Sequence, residues 1–346
     1  MPTLEIKTGI LGASGYAGAE LLRLLCGHPH FKPLCLVAAS QAGARVGDLY
    51  PHLAAMAQQR YQHVQESLSE LSRCDLVFCA LPHGQAMTLL PKLESKVIVD
   101  LGGDFRLQDP AAYEQWYGVP HACPELLPTW SYGLPELFRE EIITSTRIAN
   151  PGCYATAAIL AAAPLCQNGL IKGSLVINAL SGVSGAGRAP KAELHFAHMY
   201  EDLRAYKVAK HQHTPEIEMV LERVAGAPVR ISFTPYLVPM VRGIHLSCSA
   251  ELAQDRTEEE LLAVYQGFYK DQPFVSVARE QHGTKEVRGA NRVFITPALD
   301  ERTNRVIVTC VLDNLVKGAA GQALQNANLT FGFDEALGLD LSALYP

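Results

Sequence analysis

The chain has 346 residues, 48% apolar and 18% charged, with a net charge of −6. That length supports a large core and two domains. The sequence shows no basic stripe for nucleic acid and no run of about 18 apolar residues for a membrane span, so neither partner is expected.

The opening stretch Met1–Lys7 has neither a signal h-region nor transit-peptide character. The nine cysteines are scattered without a CxxC pair. Reduced thiols in a cytoplasmic protein are therefore expected, rather than a disulfide framework or a thiolate zinc site. Ile6–Leu11 reads as a short buried strand, and Ala19–Leu25 as a helix. Between them lies GxxGxxG, with Gly12, Gly15 and Gly18 as its glycines and Ser14 and Tyr16 among them. Glycines let backbone approach a pyrophosphate, and the helix N-terminus receives its charge, so these five residues are candidate dinucleotide contacts.

A second strand, Leu34–Ala39, runs into Ser40-Gln41-Ala42-Gly43-Ala44-Arg45. An NAD site usually places a carboxylate there for the ribose hydroxyls. Here a hydroxyl (Ser40) and a guanidinium (Arg45) stand instead, which suits the 2′-phosphate of NADP. Further strands are expected over 75–80 and 96–100. The first enters the turn containing Pro82 and the second enters Gly102-Gly103-Asp104-Phe105-Arg106. In doubly wound sheets ligands lie at that edge. Arg106 is a candidate anion clamp, since guanidinium matches phosphate oxygens in a fork. Residues 107–147 show weak periodicity and read as an irregular covering segment.

The stretch Asn150-Pro151-Gly152-Cys153-Tyr154-Ala155-Thr156 precedes an alanine-rich helix former. Pro151 and Gly152 place Cys153 at or beside the first helical turn, where unpaired N–H groups and the helix dipole favour a thiolate. The plain alternative is a small core cysteine. A strand over 174–180 then enters the small-residue loop Ser181–Arg188. In Lys210-His211-Gln212-His213-Thr214-Pro215, Thr214 reads as an N-cap and Pro215 as the first turn of a helix to about Arg223. His213 then falls just outside that helix, where the dipole favours a neutral imidazole able to act as a base. No third ligand stands at metal-site spacing, so no metal is expected. The remainder alternates apolar strands with turns, a helix near 257–269 and a small-residue helix near 315–328.

The fold class is therefore α/β. A Rossmann-type doubly wound parallel sheet is expected over 1–150, completed by the C-terminal helix within 315–346. A catalytic and dimerisation domain of α+β type with a largely antiparallel sheet is expected over 151–314. An exposed sheet face of that kind is expected to pair with a second copy as a dimer or tetramer.

A nicotinamide domain joined to an activated cysteine and a histidine points to aldehyde–acyl interconversion through a thioester. Alcohol dehydrogenases need no cysteine nucleophile, and cysteine hydrolases need no dinucleotide. The motifs around Cys153, His211–Ile217 and Pro239–Ile244 resemble the N-acetyl-gamma-glutamyl-phosphate reductases. So do Gly12–Gly18, Asp104–Arg106, Ser181–Arg188 and Asp313–Ala320. The resemblance implies NADPH-dependent reduction of an N-acetylated glutamyl 5-phosphate to the semialdehyde, with phosphate released, in arginine biosynthesis. It implies Cys153 as nucleophile, His213 as base and acid with His211 orienting it, and Asn150 or nearby N–H groups as oxyanion donors. Arg106 and Arg242 are then candidates for substrate anions, and Gly182, Ser184 and Asn314 for the nicotinamide side. His245 competes weakly for the base role. Gly102-Gly103 stands where that family more often has Ser-Ala. The competing readings are an aspartate-semialdehyde dehydrogenase and a non-catalytic NADP-sensing module.

Overall fold

The computed structural model describes residues 4–346, which form two compact units. The first runs to Gly152 and resumes over Ala319–Leu341; the second is Cys153–Gly318 with Ser342–Pro346. No helix among the described residues is long and apolar enough to cross a membrane.

The first unit is built on strands β1 (Ile6–Leu11), β2 (Phe31–Val37), β3 (Leu76–Cys79), β4 (Val97–Asp100), β5 (Ser131–Tyr132) and β6 (Arg147–Ala149). They pair in the order β2-β1-β3-β4-β6-β5, every pair parallel. Parallel strands covered on both faces read as unbroken apolar runs, and β3 and β4 are buried along their whole length. Helix α1 (Tyr16–Leu25) connects β1 to β2, and α2 (Val64–Ser72) leads into β3. The segment 107–147, expected to be irregular, carries two helices, α3 (Pro110–Tyr117) and α4 (Pro135–Thr144). Its signals were end signals rather than periodicity. Asp109 caps α3 by accepting from the Ala111 amide at 2.9 Å, Pro110 opens it, and Gly118 closes it at φ +75°.

The second unit opens with α5 (Cys153–Gln167), followed by β7 (Ile171–Gly182), β8 (Arg204–Ala205) and α6 (His213–Ala225). Then come β9 (Ile231–Val238), β10 (Ile244–Leu252), α7 (Glu258–Tyr269), β11 (Val275–Val277), β12 (Val293–Asp300) and β13 (Arg305–Leu312). Its sheet runs β11-β12-β13-β10-β7-β9-β8, antiparallel except at β11–β12 and β7–β9. This is the mixed, largely antiparallel sheet anticipated above.

Helix α5 is buried from Tyr154 to Cys166, and it continues through Pro164. A proline there frees the carbonyl four residues back. Tyr269 of α7 donates its hydroxyl to that Leu160 oxygen at 2.6 Å, and Tyr265 donates to the Ala161 oxygen at 2.6 Å. The helix carrying Cys153 is thus held by two buried phenols where its own ladder is broken.

Helix α8 (Gly321–Thr330) belongs to the first unit, where it packs on α4, β4 and α1. It is preceded by a π-helical turn, Val316–Ala320, in place of the continuous helix expected from 315.

Candidate active site

In the first unit the glycine turn lies between β1 and α1. Gly12 has φ +78°, and a Cβ there would stand 2.3 Å from the Ala80 carbonyl oxygen. A Cβ on Gly18 would stand 2.4 Å from the Gly12 oxygen. Both positions therefore require glycine, one for conformation and one for close packing of helix on strand. Gly15 is the N-cap of α1 and makes no side-chain cap, which leaves the first-turn amides to a ligand. Tyr50 donates its hydroxyl to the Ser14 carbonyl at 2.8 Å, fixing the turn from outside. Tyr16 is exposed at the start of α1. This turn fits a dinucleotide pyrophosphate.

Ser40 is exposed in the loop after β2. Arg45 is forked onto Asp48, Nη2 to Oδ1 at 3.1 Å. A second guanidinium, Arg60, donates to the Gly43 carbonyl at 2.6 Å and pairs as a strand bridge with Arg45. No motif pointed to Arg60; long-range pairing of residues 59–62 with the β2 loop brings it there.

Pro82 lies in the turn after β3, whose Gly84 and Met87 amides both donate to the Asp104 carboxylate, at 2.8 and 3.0 Å. The neighbouring Gly103 is where an added Cβ would meet the His83 ring at 2.6 Å, so a glycine admits that histidine. Arg106 is buried. Its Nε donates to the Asn150 carbonyl and its Nη2 to the Leu101 carbonyl, both at 2.8 Å. Those two nitrogens hold main chain. The Asn150 side chain is similarly engaged: its Nδ2 donates to the Ala319 carbonyl at 3.2 Å and its Oδ1 accepts from Asn326 at 3.1 Å.

Asp100 ends β4 with no solvent exposure, its Oδ1 accepting the Gly102 amide at 2.9 Å. Burial, reinforced by the Asp104 charge, pushes its carboxyl up to about 7. The folded chain keeps a proton that the unfolded chain releases near pH 4. Stability is therefore fully present below about pH 4 and lost as pH rises to about 7. Three units at about 1.4 kcal/mol each put the loss at roughly 4 kcal/mol. Asp100→Asn is expected to remove this slope and to stabilise the chain at pH 8, as urea unfolding at pH 5 and pH 8 will read. An identical slope in both proteins would contradict the assignment.

In the second unit Cys153 is the first residue of α5 and is half-buried. The adjacent Tyr154 is buried, with its ring centroid 5.6 Å from that of His211 and 6.0 Å from that of His213. The histidine rings stand edge to face at 4.6 Å. Tyr206 donates to the Tyr154 hydroxyl at 3.3 Å, which donates on to the Tyr236 carbonyl at 3.0 Å. Burial pushes the Tyr206 phenol up to about 12, with the Cys153 charge adding to the shift. Isolated tyrosines carry no sequence signal, and this pair went unanticipated.

The histidine motif folds differently from the expectation. His213 is the first residue of α6 rather than a residue outside it. Gln212 stands at the N-cap without a side-chain cap bond, and His211 serves in its place: its Nδ1 accepts the His213 amide at 3.1 Å while its carbonyl accepts the Thr214 amide at 2.9 Å. The Thr214 hydroxyl is buried without a hydrogen-bond partner and does not cap the helix. An imidazole reaching from two residues back displaced the usual hydroxyl. His245 lies on β10, in register with Leu180 and Val311. Alternation puts it on the face opposite the fully buried Leu246 and Cys248.

Asn314, Gly182, Ser184 and Arg242 meet at one place in this unit. Asn314 Oδ1 accepts the Gly243 amide at 2.7 Å, and its Nδ2 donates to Ser184 Oγ at 3.0 Å. A Cβ on Gly182 would lie 2.7 Å from the Arg242 amide nitrogen. Arg242 Nε stands 3.5 Å from the buried Asp313 carboxylate.

All nine cysteines are free. Burial pushes the Cys74 thiol up to about 11 and those of Cys35 and Cys166 to about 12. It also raises Cys79, Cys123, Cys248 and Cys310, and desolvation raises Cys26 despite the Arg23 guanidinium nearby. Iodoacetamide at pH 7 is expected to label Cys153 first, at least ~10-fold faster than any other site. Peptide mapping with equal labelling of Cys26 would contradict this.

Two family models match the chain: "Semialdehyde dehydrogenase, NAD binding domain" over residues 7–145 and "Semialdehyde dehydrogenase, dimerisation domain" over 153–314. The chain is 47% identical to the N-acetyl-gamma-glutamyl-phosphate reductase of Desulforudis audaxviator, covering 99% of this chain and 100% of the relative. It is 46% identical to the protein of that name from Desulforamulus reducens, with the same coverage. Its fold is shared with aspartate semialdehyde dehydrogenase II of Vibrio cholerae, at TM-score 0.72, 16% identity and coverage of 95% and 99%. It is shared too with the NADP-bound aspartate semialdehyde dehydrogenase of Candida albicans, at TM-score 0.68, 16% identity and coverage of 94% and 98%. The chain belongs to the semialdehyde dehydrogenase family, among its N-acetyl-gamma-glutamyl-phosphate reductases.

Proposed function

We propose that this chain reduces N-acetyl-L-glutamyl 5-phosphate to N-acetyl-L-glutamate 5-semialdehyde in arginine biosynthesis, releasing phosphate, through a thioester on Cys153. The observation that carries the reading is Cys153 at the head of α5, with the His211–His213 pair packed on the ring of the next residue. The Cys153 thiol loses its proton to His213 as the sulfur attacks the acyl carbon. The carbon–sulfur bond forms, the carbon–oxygen bond to phosphate breaks, and phosphate leaves. Bound NADPH supplies the hydride that takes the thioester to the aldehyde level. His213 returns its proton to the thiohemiacetal oxygen or to the departing sulfur as the aldehyde is released.

His213 is the base in this reading because the His211 Nδ1 is engaged by main chain, which leaves His211 to orient its neighbour. Arg242, steadied by Asp313, is assigned to a substrate carboxylate or phosphate, and Arg106 supports the chain before Cys153. Asn150, held by Ala319 and Asn326, acts on backbone position; the oxyanion is assigned to the first-turn amides of α5. The 2′-phosphate of NADP is assigned to Ser40 with Arg45 and Arg60, and the nicotinamide side to Gly182, Ser184 and Asn314.

Val176, Ser249 and Ile307 sit side by side on three adjacent strands of the second unit's sheet, and Val176 and Ile307 are each more than a third exposed. A second copy is assigned to that face, as two exposed aliphatic side chains flanking a small serine in register across strands suit self-pairing. The reduced cysteines fit a cytoplasmic setting. The activity is tested in reverse. N-acetylglutamate semialdehyde, phosphate and NADP are expected to give NADPH absorbance that alkylation abolishes; turnover of aspartate semialdehyde alone would overturn the substrate assignment.

A further inference from the structure

We propose that Gly318 is a positioning residue for Cys153. Its missing side chain lets the π-helical turn lie flat against the Cα and Cβ of Cys153 and so fixes where the thiol points. A Cβ on Gly318 would stand 2.8 Å from Cys153 Cβ and 3.3 Å from both Cys153 Cα and the Asp313 carbonyl oxygen. Carbon atoms pack at about 3.5–4.0 Å, so any side chain here must drive the two segments apart by about 1 Å.

Neither segment yields easily. Cys153 heads a helix buried over its next thirteen residues, Tyr154 to Cys166. The Gly318 side is tied down in sequence. The Gly318 amide donates to the Asp313 carbonyl at 2.9 Å. The Asp313 carboxylate accepts the Gly289 and Leu315 amides at 2.7 and 2.8 Å. Asn314 joins Gly243 to Ser184. One short segment, Asp313–Gly318, thus touches Cys153 at one end and holds Ser184 and Arg242 at the other. A wide π turn is less favourable than regular helix and recurs where a side chain must be placed for function. Here it presents the one residue without a side chain to the carbon that bears the sulfur.

The catalytic consequence rests on Cys153 being the nucleophile; the contact does not. Gly318→Ala is expected to lower kcat about 100-fold, the cost of misplacing a reacting group by about 1 Å. The dissociation constant for NADPH is expected to stay within about twofold. The pH profile of Cys153 alkylation is expected to move as well, which a loss of stability alone would not cause. Wild-type kcat with a wild-type alkylation profile overturns the proposal. The contact itself is read from thermal midpoints of a double-mutant cycle. Gly318→Ala is expected to lose several degrees in the Cys153 background and little in the Cys153→Gly background, where the opposing Cβ is gone. Should Gly318→Ala alone fail to fold, the double variant is expected to fold. Equal losses in both backgrounds, or a double variant that also fails to fold, overturn the contact. Turnover by Cys153→Ser with the cycle still coupled would instead sink the nucleophile reading and leave the contact standing.

Discussion

Cys153→Ser is expected to cut kcat by at least ~10³-fold while NADPH binds within about twofold of the wild type. A serine hydroxyl has nearly the shape of the thiol but gives up its proton far less readily, so it does not form the acyl bond at neutral pH. In the proposed reaction the helix-terminus amides and the two histidines assist a thiol, which ionises far more readily than a hydroxyl, and they are not expected to make up that difference. Cofactor affinity is expected to survive because the glycine turn that fits the pyrophosphate belongs to the first unit, whereas Cys153 opens the second. Steady-state rates beside a fluorescence titration of NADPH separate the two quantities. A serine variant retaining a tenth of the activity would rule out the thioester.

His213→Asn is expected to lower kcat by about 10²–10⁴-fold, the usual range for a general acid–base. His211→Asn is expected to do less to the chemical step, because an asparagine oxygen can still accept the His213 amide that the imidazole Nδ1 now accepts at 3.1 Å. The two variants separate by pH profile. The acidic limb of kcat/KM is expected to vanish in the His213 variant and to persist in the His211 variant. The opposite pattern would exchange the two roles.

The Rossmann-type sheet was legible because its signals are local. A buried run, three spaced glycines and an apolar helix face occupy the first 25 residues, and each follows from backbone sterics or burial period. The segment before Cys153 was hidden because its helices are short and weakly amphipathic. Asp109, Pro110 and Gly118 marked the ends of one of them all the same. The start of α6 was misread because sequence spacing favoured a threonine cap, and only the fold shows His211 turning its ring onto the next amide but one. Environments that depend on distant residues were invisible for the same reason. Arg106 engages carbonyls 5 and 44 residues away. Tyr206 reaches Tyr154 across 52 residues. Gly318 lies against Cys153 although 165 positions of chain separate them. Residue type announces what chemistry is on hand, whereas the partner that directs it is chosen by tertiary packing.

The most direct measurement is intact-protein mass spectrometry of the enzyme mixed with N-acetylglutamyl phosphate in the absence of NADPH. One acyl adduct is predicted, mapping to the Cys153 peptide, released by hydroxylamine and lost when NADPH is added. Undiminished turnover with no adduct formed, or an adduct on another residue that NADPH discharges at the catalytic rate, would contradict it.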